Sequence, residues 1–243
     1  MKYLVAFVDD NKELNAPDEK LAQHPSVAFF LSPYGQAATG EDGEIYRPQS
    51  EKNQIQEELD QLFDSNFGER MYNNDGGIDD ALMVKLVNFF KKNPSCTTIY
   101  FDHDLTLTCH HGLLETHILN AFFSRFVLDN KTFNQYVGYF FGGLGRYKKL
   151  KKLLDKLRSM NITIKILTKQ PDTKSIELNM KLCKLDEYFD EYISSEKKNM
   201  EKLDWIQKEI DRGMRSSKSP RALKNRSPKL AKKTKSPKKK QST

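Results

Sequence analysis

Cysteine is scarce in this chain. Cys96, Cys109 and Cys183 cannot all pair, and none belongs to a Cys-x-x-Cys. That excludes a disulfide framework and leads us to expect an intracellular, reducing compartment, with cytoplasm and nucleus both open. Long apolar runs are missing too. The first, Tyr3 to Val8, is closed by Asp9 and Asp10 and is too short for a signal sequence or a membrane span. Acidic residues vanish after Asp211. From Arg212 to Thr243 there are 13 of the 40 Lys and Arg and no Asp or Glu, which leaves 27 basic against 33 acidic residues before it. The overall charge of +7 therefore describes an acidic body of −6 with a basic tail attached.

The tail, residues 212–243, also lacks aromatic residues. It repeats Ser-Pro-Arg (219–221) and Ser-Pro-Lys (227–229, 236–238), a composition that predicts disorder. It offers salt-sensitive attachment to nucleic acid, anionic lipid or an acidic protein.

The body has what a core needs: 15 Phe and 10 Tyr in 243 residues that are 37% apolar. Residues 3–8 and 27–31 read as buried strands, and 34–53 as a loop. Helical spacing appears at Ile55, Leu59, Leu62 and Phe63, then more strongly from Leu82 to Phe90. Thr97 to Phe101 is β-branched and aromatic, as a strand requires. Residues 113–128 read as a helix, and Leu150, Leu153, Leu154 and Leu157 mark another. A strand at Ile162–Leu167, a helix over about 173–184, a short strand at Tyr188–Ile193 and a helix from Glu196 to Ile210 follow. Alternating strands and helices predict an α/β fold, a parallel sheet with helices on both faces.

The chemistry concentrates in Ile99-Tyr-Phe-Asp-His-Asp-Leu-Thr-Leu-Thr108. Asp102 and Asp104 stand just past a buried strand, where parallel sheets bind ligands. Two carboxylates so placed can divide labour, one attacking phosphorus and the other moving a proton. Magnesium would offset their repulsion. Other chemistries are less well supplied. Cys109, His110 and His111 lack the second pair a structural zinc site needs. No cysteine has an arginine six positions on, as a phosphate-cradling cysteine would. Gly142-Gly-Leu-Gly145 has neither nucleotide-loop spacing and reads as a hinge.

This segment resembles the first motif of the haloacid dehalogenase-like superfamily, a strand followed by Asp-x-Asp-x-Thr. The resemblance implies that Asp102 is nucleophile and magnesium (Mg2+) ligand. It makes Asp104 the general acid/base, with its carbonyl on the metal; the middle residue, His103, is asked for no chemistry. The strand ending in Thr168 is similar to the second motif, implying a phosphate-binding hydroxyl. The third is a lysine near a helix start, for which Lys202 and Lys198 both qualify. No fourth motif follows them. Its form appears instead at the chain's beginning, in Leu4-Val-Ala-Phe-Val-Asp-Asp10, with Asn15 further on. Asp10 is then the expected direct metal ligand and Asp9 the supporting or alternate one.

The resemblance thus implies a Rossmann-like core that is circularly permuted and carries a small helical cap or flap. Residues 1–33 would give the fourth-motif strand and the last strand, and 34–95 a connecting helical insertion. Residues 96–211 would form the main core, with a cap at 109–145. The expected activity is that of a magnesium-dependent phosphatase with an aspartyl-phosphate intermediate, acting on a phosphorylated protein or small molecule. The alternative is an inactive scaffold whose tail does the binding.

Overall fold

A computed structural model describes residues 2–32, 77–109, 120–121, 124 and 130–217. The expected loop at 34–53, the helix from Ile55, nearly all of 113–128 and the tail beyond 217 lie outside these residues.

Five strands form one sheet: β1 (Val5–Asp9), β2 (Val27–Leu31), β3 (Thr98–Phe101), β4 (Thr163–Thr168) and β5 (Glu191–Ser194). Their order is β2-β1-β3-β4-β5, and every pairing is parallel. The earliest strand therefore lies inside the sheet. Its five residues are all buried, which is why it reads as an unbroken apolar run.

Side chains of successive strand residues face opposite ways, and each face has its own core. Ala6, Val8, Ile99, Phe101, Ile164 and Ile166 join one cluster. Helices α3 (Asp80–Lys92), α4 (Asn130–Phe141), α5 (Leu144–Ser159) and α6 (Thr173–Leu182) contribute to it through residues such as Leu86, Phe140, Leu154 and Ile176. Val5, Phe7, Tyr100 and Leu167 join the other, under Leu203, Ile206 and Ile210 of α7 (Lys202–Ser217). Two short helices, α1 (Lys12–Asn15) and α2 (Asp18–Gln23), link β1 to β2. The expected α/β class, all-parallel sheet and helical cover on both faces are present.

Several boundaries differ from expectation. Residues 130–141, placed in a cap by the sequence, form a helix whose Tyr136, Val137, Phe140 and Phe141 are buried in the core. This aromatic face packs against α5 rather than standing off as a cover. Gly142 and Gly143, at φ 65° and 112°, make the reversal between α4 and α5. The last helix starts at Lys202 rather than Glu196, because Asn199 is left-handed (φ 49°) and interrupts the chain after a single turn at Glu196–Lys198. It continues through Ser217, so residues 212–217 belong to a helix rather than to a disordered tail. The final strand begins at Glu191, since Asp186–Tyr188 is a tight turn. No helix among the described residues is long and apolar enough to cross a membrane.

Candidate functional site

Adjacent parallel strands deliver their C-terminal residues to one place. Val8 is paired with Phe101, and the Asp102 amide donates to the Val8 carbonyl at 2.9 Å. Asp9 and Asp102 thus leave the sheet side by side despite their separation in sequence. The chain proceeds from β1 to β2 on one side and from β3 to β5 on the other, so this is the topological switch point, where open α/β sheets form their crevice.

Asp9 is fully buried. Its Oδ1 accepts from the Asn11 amide at 2.9 Å and from Asn15 Nδ2 at 3.1 Å. Its Oδ2 accepts from Lys202 Nζ at 2.7 Å, and the same ammonium lies 2.8 Å from Asp102 Oδ1. Half-buried Asp10 completes the group: Asp9, Asp10 and Asp102 present carboxylate oxygens within 4.8 Å of one another. Such a cluster of hard oxygen donors could hold a metal ion. Both Asp9 oxygens already accept from protein groups, which suits Asp9 to a supporting part in that cluster.

The charges do not balance. Burial lifts Asp102 to about 7, against the pull of Lys202 and with help from Asp9 and Asp104. Burial disfavours the Lys202 ammonium, but Asp102 and Asp9 outweigh it and hold its pKa above the ordinary value. One ammonium facing two buried carboxylates stays charged and leaves a negative charge uncompensated. A proton on Asp102 or a bound metal ion would each offset that charge.

After Asp102 the chain makes a wide turn, His103–Leu107, in which Asp104 is extended and Leu105 is left-handed at φ 53°. A left-handed leucine is uncommon, and here its buried side chain and the contact of its carbonyl with Ser32 Oγ at 3.4 Å hold it. The Arg146 guanidinium clamps the same turn. It donates to the carbonyls of Thr106 (3.1 Å), Phe141 (3.1 Å) and Ile78 (3.3 Å). Asp104 Oδ1 lies 3.0 Å from His103 Nδ1, and its Oδ2 accepts from Gln170 Nε2. Thr168 is buried at the same edge of the sheet, one residue beyond the level of Asp102, and its Oγ1 accepts from the Gln170 amide at 3.0 Å.

Most of the residues singled out by sequence therefore meet. Asp9, Asp10, Asp102 and Lys202 share one cluster, and Asp104 and Thr168 stand at its border. The Asp104 carboxylate lies outside the three-carboxylate group. Lys198 is not brought to this cluster. It is exposed, with Nζ 5.9 Å from the centre of the Trp205 ring, because the break at Asn199 turns it away before α7 begins. Lys202, in the first turn of α7, points back to the sheet.

Three participants were not anticipated. His103 is fully buried and touches Asp104, although its position was expected to be idle. Gln170 gives no motif signal beyond standing two residues after Thr168. Asn179 reaches His103 from the middle of α6 at 3.4 Å. Scans against family models, curated proteins and solved structures found no match to this chain.

Proposed function

We propose that the protein is a magnesium-dependent phosphatase that works through an aspartyl-phosphate intermediate. The observation that carries this reading is the single Lys202 ammonium lodged between Asp9 and Asp102, with a third carboxylate beside them. The arrangement combines a buried nucleophile, a fixed cation and an acidic corner for a divalent metal. These are the parts phosphoryl transfer needs, since its catalysis is mainly positioning and charge stabilisation.

Asp102 Oδ2 would attack phosphorus while the bond to the departing oxygen breaks. Asp104 would deliver a proton to that oxygen. A water would then attack the aspartyl phosphate, losing its proton to Asp104, and the bond to Asp102 would break to release inorganic phosphate. Lys202 holds Asp102 in place through Oδ1, and the Thr168 hydroxyl is available to the phosphoryl oxygens. Bound magnesium, held by Asp10 and Asp102 with Asp9 in support, would offset the charge of phosphate and carboxylates.

The reading agrees with a circularly permuted haloacid dehalogenase-like core. It requires the strand ending in Asp9-Asp10 to lie beside the strand ending in Asp102, and β1 does lie beside β3. The modest length of 109–145 favours a phosphoprotein substrate, the more so because Asn130–Phe141 is occupied in packing the core. The basic tail would then attach the enzyme to an anionic partner.

The test is release of phosphate from p-nitrophenyl phosphate, with and without Mg2+, by the wild type and by Asp102→Asn. We expect Mg2+-dependent turnover that the substitution abolishes. Turnover unaffected by Asp102→Asn would exclude the mechanism. Inactivity across phosphopeptides, sugar phosphates and nucleotides would leave a scaffold whose tail does the work.

A further inference from the structure

A line of buried side chains runs away from the site, and its hydrogen bonds all point one way. Asn120 Nδ2 donates to the Ser175 carbonyl at 2.8 Å and to Ser175 Oγ at 3.2 Å. That leaves Asn120 Oδ1 to accept, which it does from the Tyr136 hydroxyl at 2.7 Å. The hydroxyl in turn accepts from Asn179 Nδ2 at 2.9 Å. Asn179 is thereby oriented with Oδ1 toward His103 Nε2, 3.4 Å away. An amide oxygen can only accept, so Nε2 must carry the hydrogen. The opposite ring nitrogen, Nδ1, faces Asp104 Oδ1 at 3.0 Å.

Asn120, Tyr136, Asn179 and His103 are each no more than 2% exposed. Misaligned polar groups at that depth are costly, so the row is stable chiefly in this one arrangement. It fixes the tilt of the imidazole and keeps a hydrogen on Nε2. With Gln170 on the other oxygen, the imidazole in turn fixes the plane of the Asp104 carboxyl group.

We infer that His103 is a positioning residue for Asp104, held by the Asn120–Tyr136–Asn179 row so that the carboxyl group is aimed at the leaving oxygen. This rests on the phosphatase reading above. It also assigns a use to four buried polar residues.

The test uses kcat/KM, which reports the first phosphoryl transfer, for full-length protein with Mg2+ on phenyl phosphate and p-nitrophenyl phosphate. Phenoxide must be protonated as it departs, whereas p-nitrophenoxide leaves with little help. For His103→Ala we expect a loss on the order of 10²-fold on phenyl phosphate and a much smaller one on p-nitrophenyl phosphate. His103→Asn places an amide where Nδ1 stood and should restore part of the phenyl phosphate rate. His103→Gln places one where Nε2 stood and should not.

Tyr136→Phe keeps the ring in the core but removes the hydroxyl from the row. It should show the same substrate-dependent loss in weaker form, and it carries the test if His103→Ala does not fold. Equal losses on both substrates, or rescue by glutamine and not asparagine, would mean that His103 only braces the core. Wild-type protein without Asp102-dependent turnover would remove the phosphatase reading and this inference together. An active wild type with unselective His103 and Tyr136 variants would remove the inference alone.

Discussion

Lys202 Nζ lies 2.7 Å from Asp9 Oδ2, joining residues 193 positions apart in a contact that is closed to solvent. The last described helix is pinned to the first strand at the point where the first strand meets Asp102. Removing the ammonium would leave two buried carboxylates facing each other.

Lys202→Met should therefore destabilise the metal-free protein by about 3–5 kcal/mol, the usual range when one partner of a buried ion pair is lost. It should also lower kcat/KM by about 10²–10³-fold, as loss of a fixed transition-state charge does. Lys198→Met, at an exposed position, should stay within about 1 kcal/mol of wild type. Chemical denaturation and phosphatase assays on the two variants would compare the lysines directly. Similar losses at both positions would contradict the geometry.

Asp9 and Asp10 should separate by their bonding. Both Asp9 oxygens are held by Asn11, Asn15 and Lys202, so Asp9→Asn should lower the melting temperature even in the presence of a chelator. Asp10→Asn should raise the Mg2+ concentration needed for half-maximal activity by about 10–100-fold. A Mg2+ titration of activity, paired with melts in chelator, reads both. The opposite pattern would make Asp9 the direct ligand.

How much of this was legible beforehand depends on range. The strands were readable because both sides of the sheet are covered, which turns each strand into a short apolar run such as Val27–Leu31. Thr168 and the Asp102-Asp104 pair could be picked out because strand ends announce themselves. The choice between Lys198 and Lys202 could not be made from spacing, since it depends on a left-handed Asn199 that has no strong sequence signal. The helix Asn130–Phe141 was missed because its apolar residues follow a polar start and run into two glycines. Gln170, Asn179 and the role of His103 were illegible for a different reason. Their partners are 66, 76 and 1 residues away, and only the folded turn at His103–Leu107 reveals which atoms meet.

That turn gives a prediction about stability away from the carboxylates. Gly77 has φ 117°, and a Cβ there would run into the Arg146 guanidinium. Gly77→Ala should cost about 1–3 kcal/mol from backbone strain alone. Arg146→Met should cost about 3 kcal/mol or more, because three carbonyl acceptors lose a charged donor in a buried place. Both variants should also lose activity, since the Thr106 carbonyl anchors the turn that carries Asp104. Full activity in a destabilised Arg146→Met would show that the turn holds its shape unaided.

The excess negative charge at the site makes the metal-free protein sensitive to pH in a direction that can be stated. Asp102 has its pKa raised from the usual carboxylate value to about 7 in the folded state, so the folded protein binds a proton that the unfolded chain has released. Its contribution to stability is complete below the unfolded pKa of about 4 and is lost as pH rises through about 7. His103 acts with the same sign: burial opposes its charge, but the bond and charge of Asp104 raise its pKa above the ordinary imidazole value. In chelator, then, stability should fall as pH rises from about 4 through about 7, by an amount on the order of a few kcal/mol. Asp102→Asn removes the titrating group and should flatten most of that slope. Mg2+ favours the ionised carboxylate, so it should raise the melting temperature far more at pH 8 than at pH 5. Melts across pH with chelator or with saturating Mg2+ would measure both slopes. A Mg2+ effect independent of pH would place the cation away from Asp102.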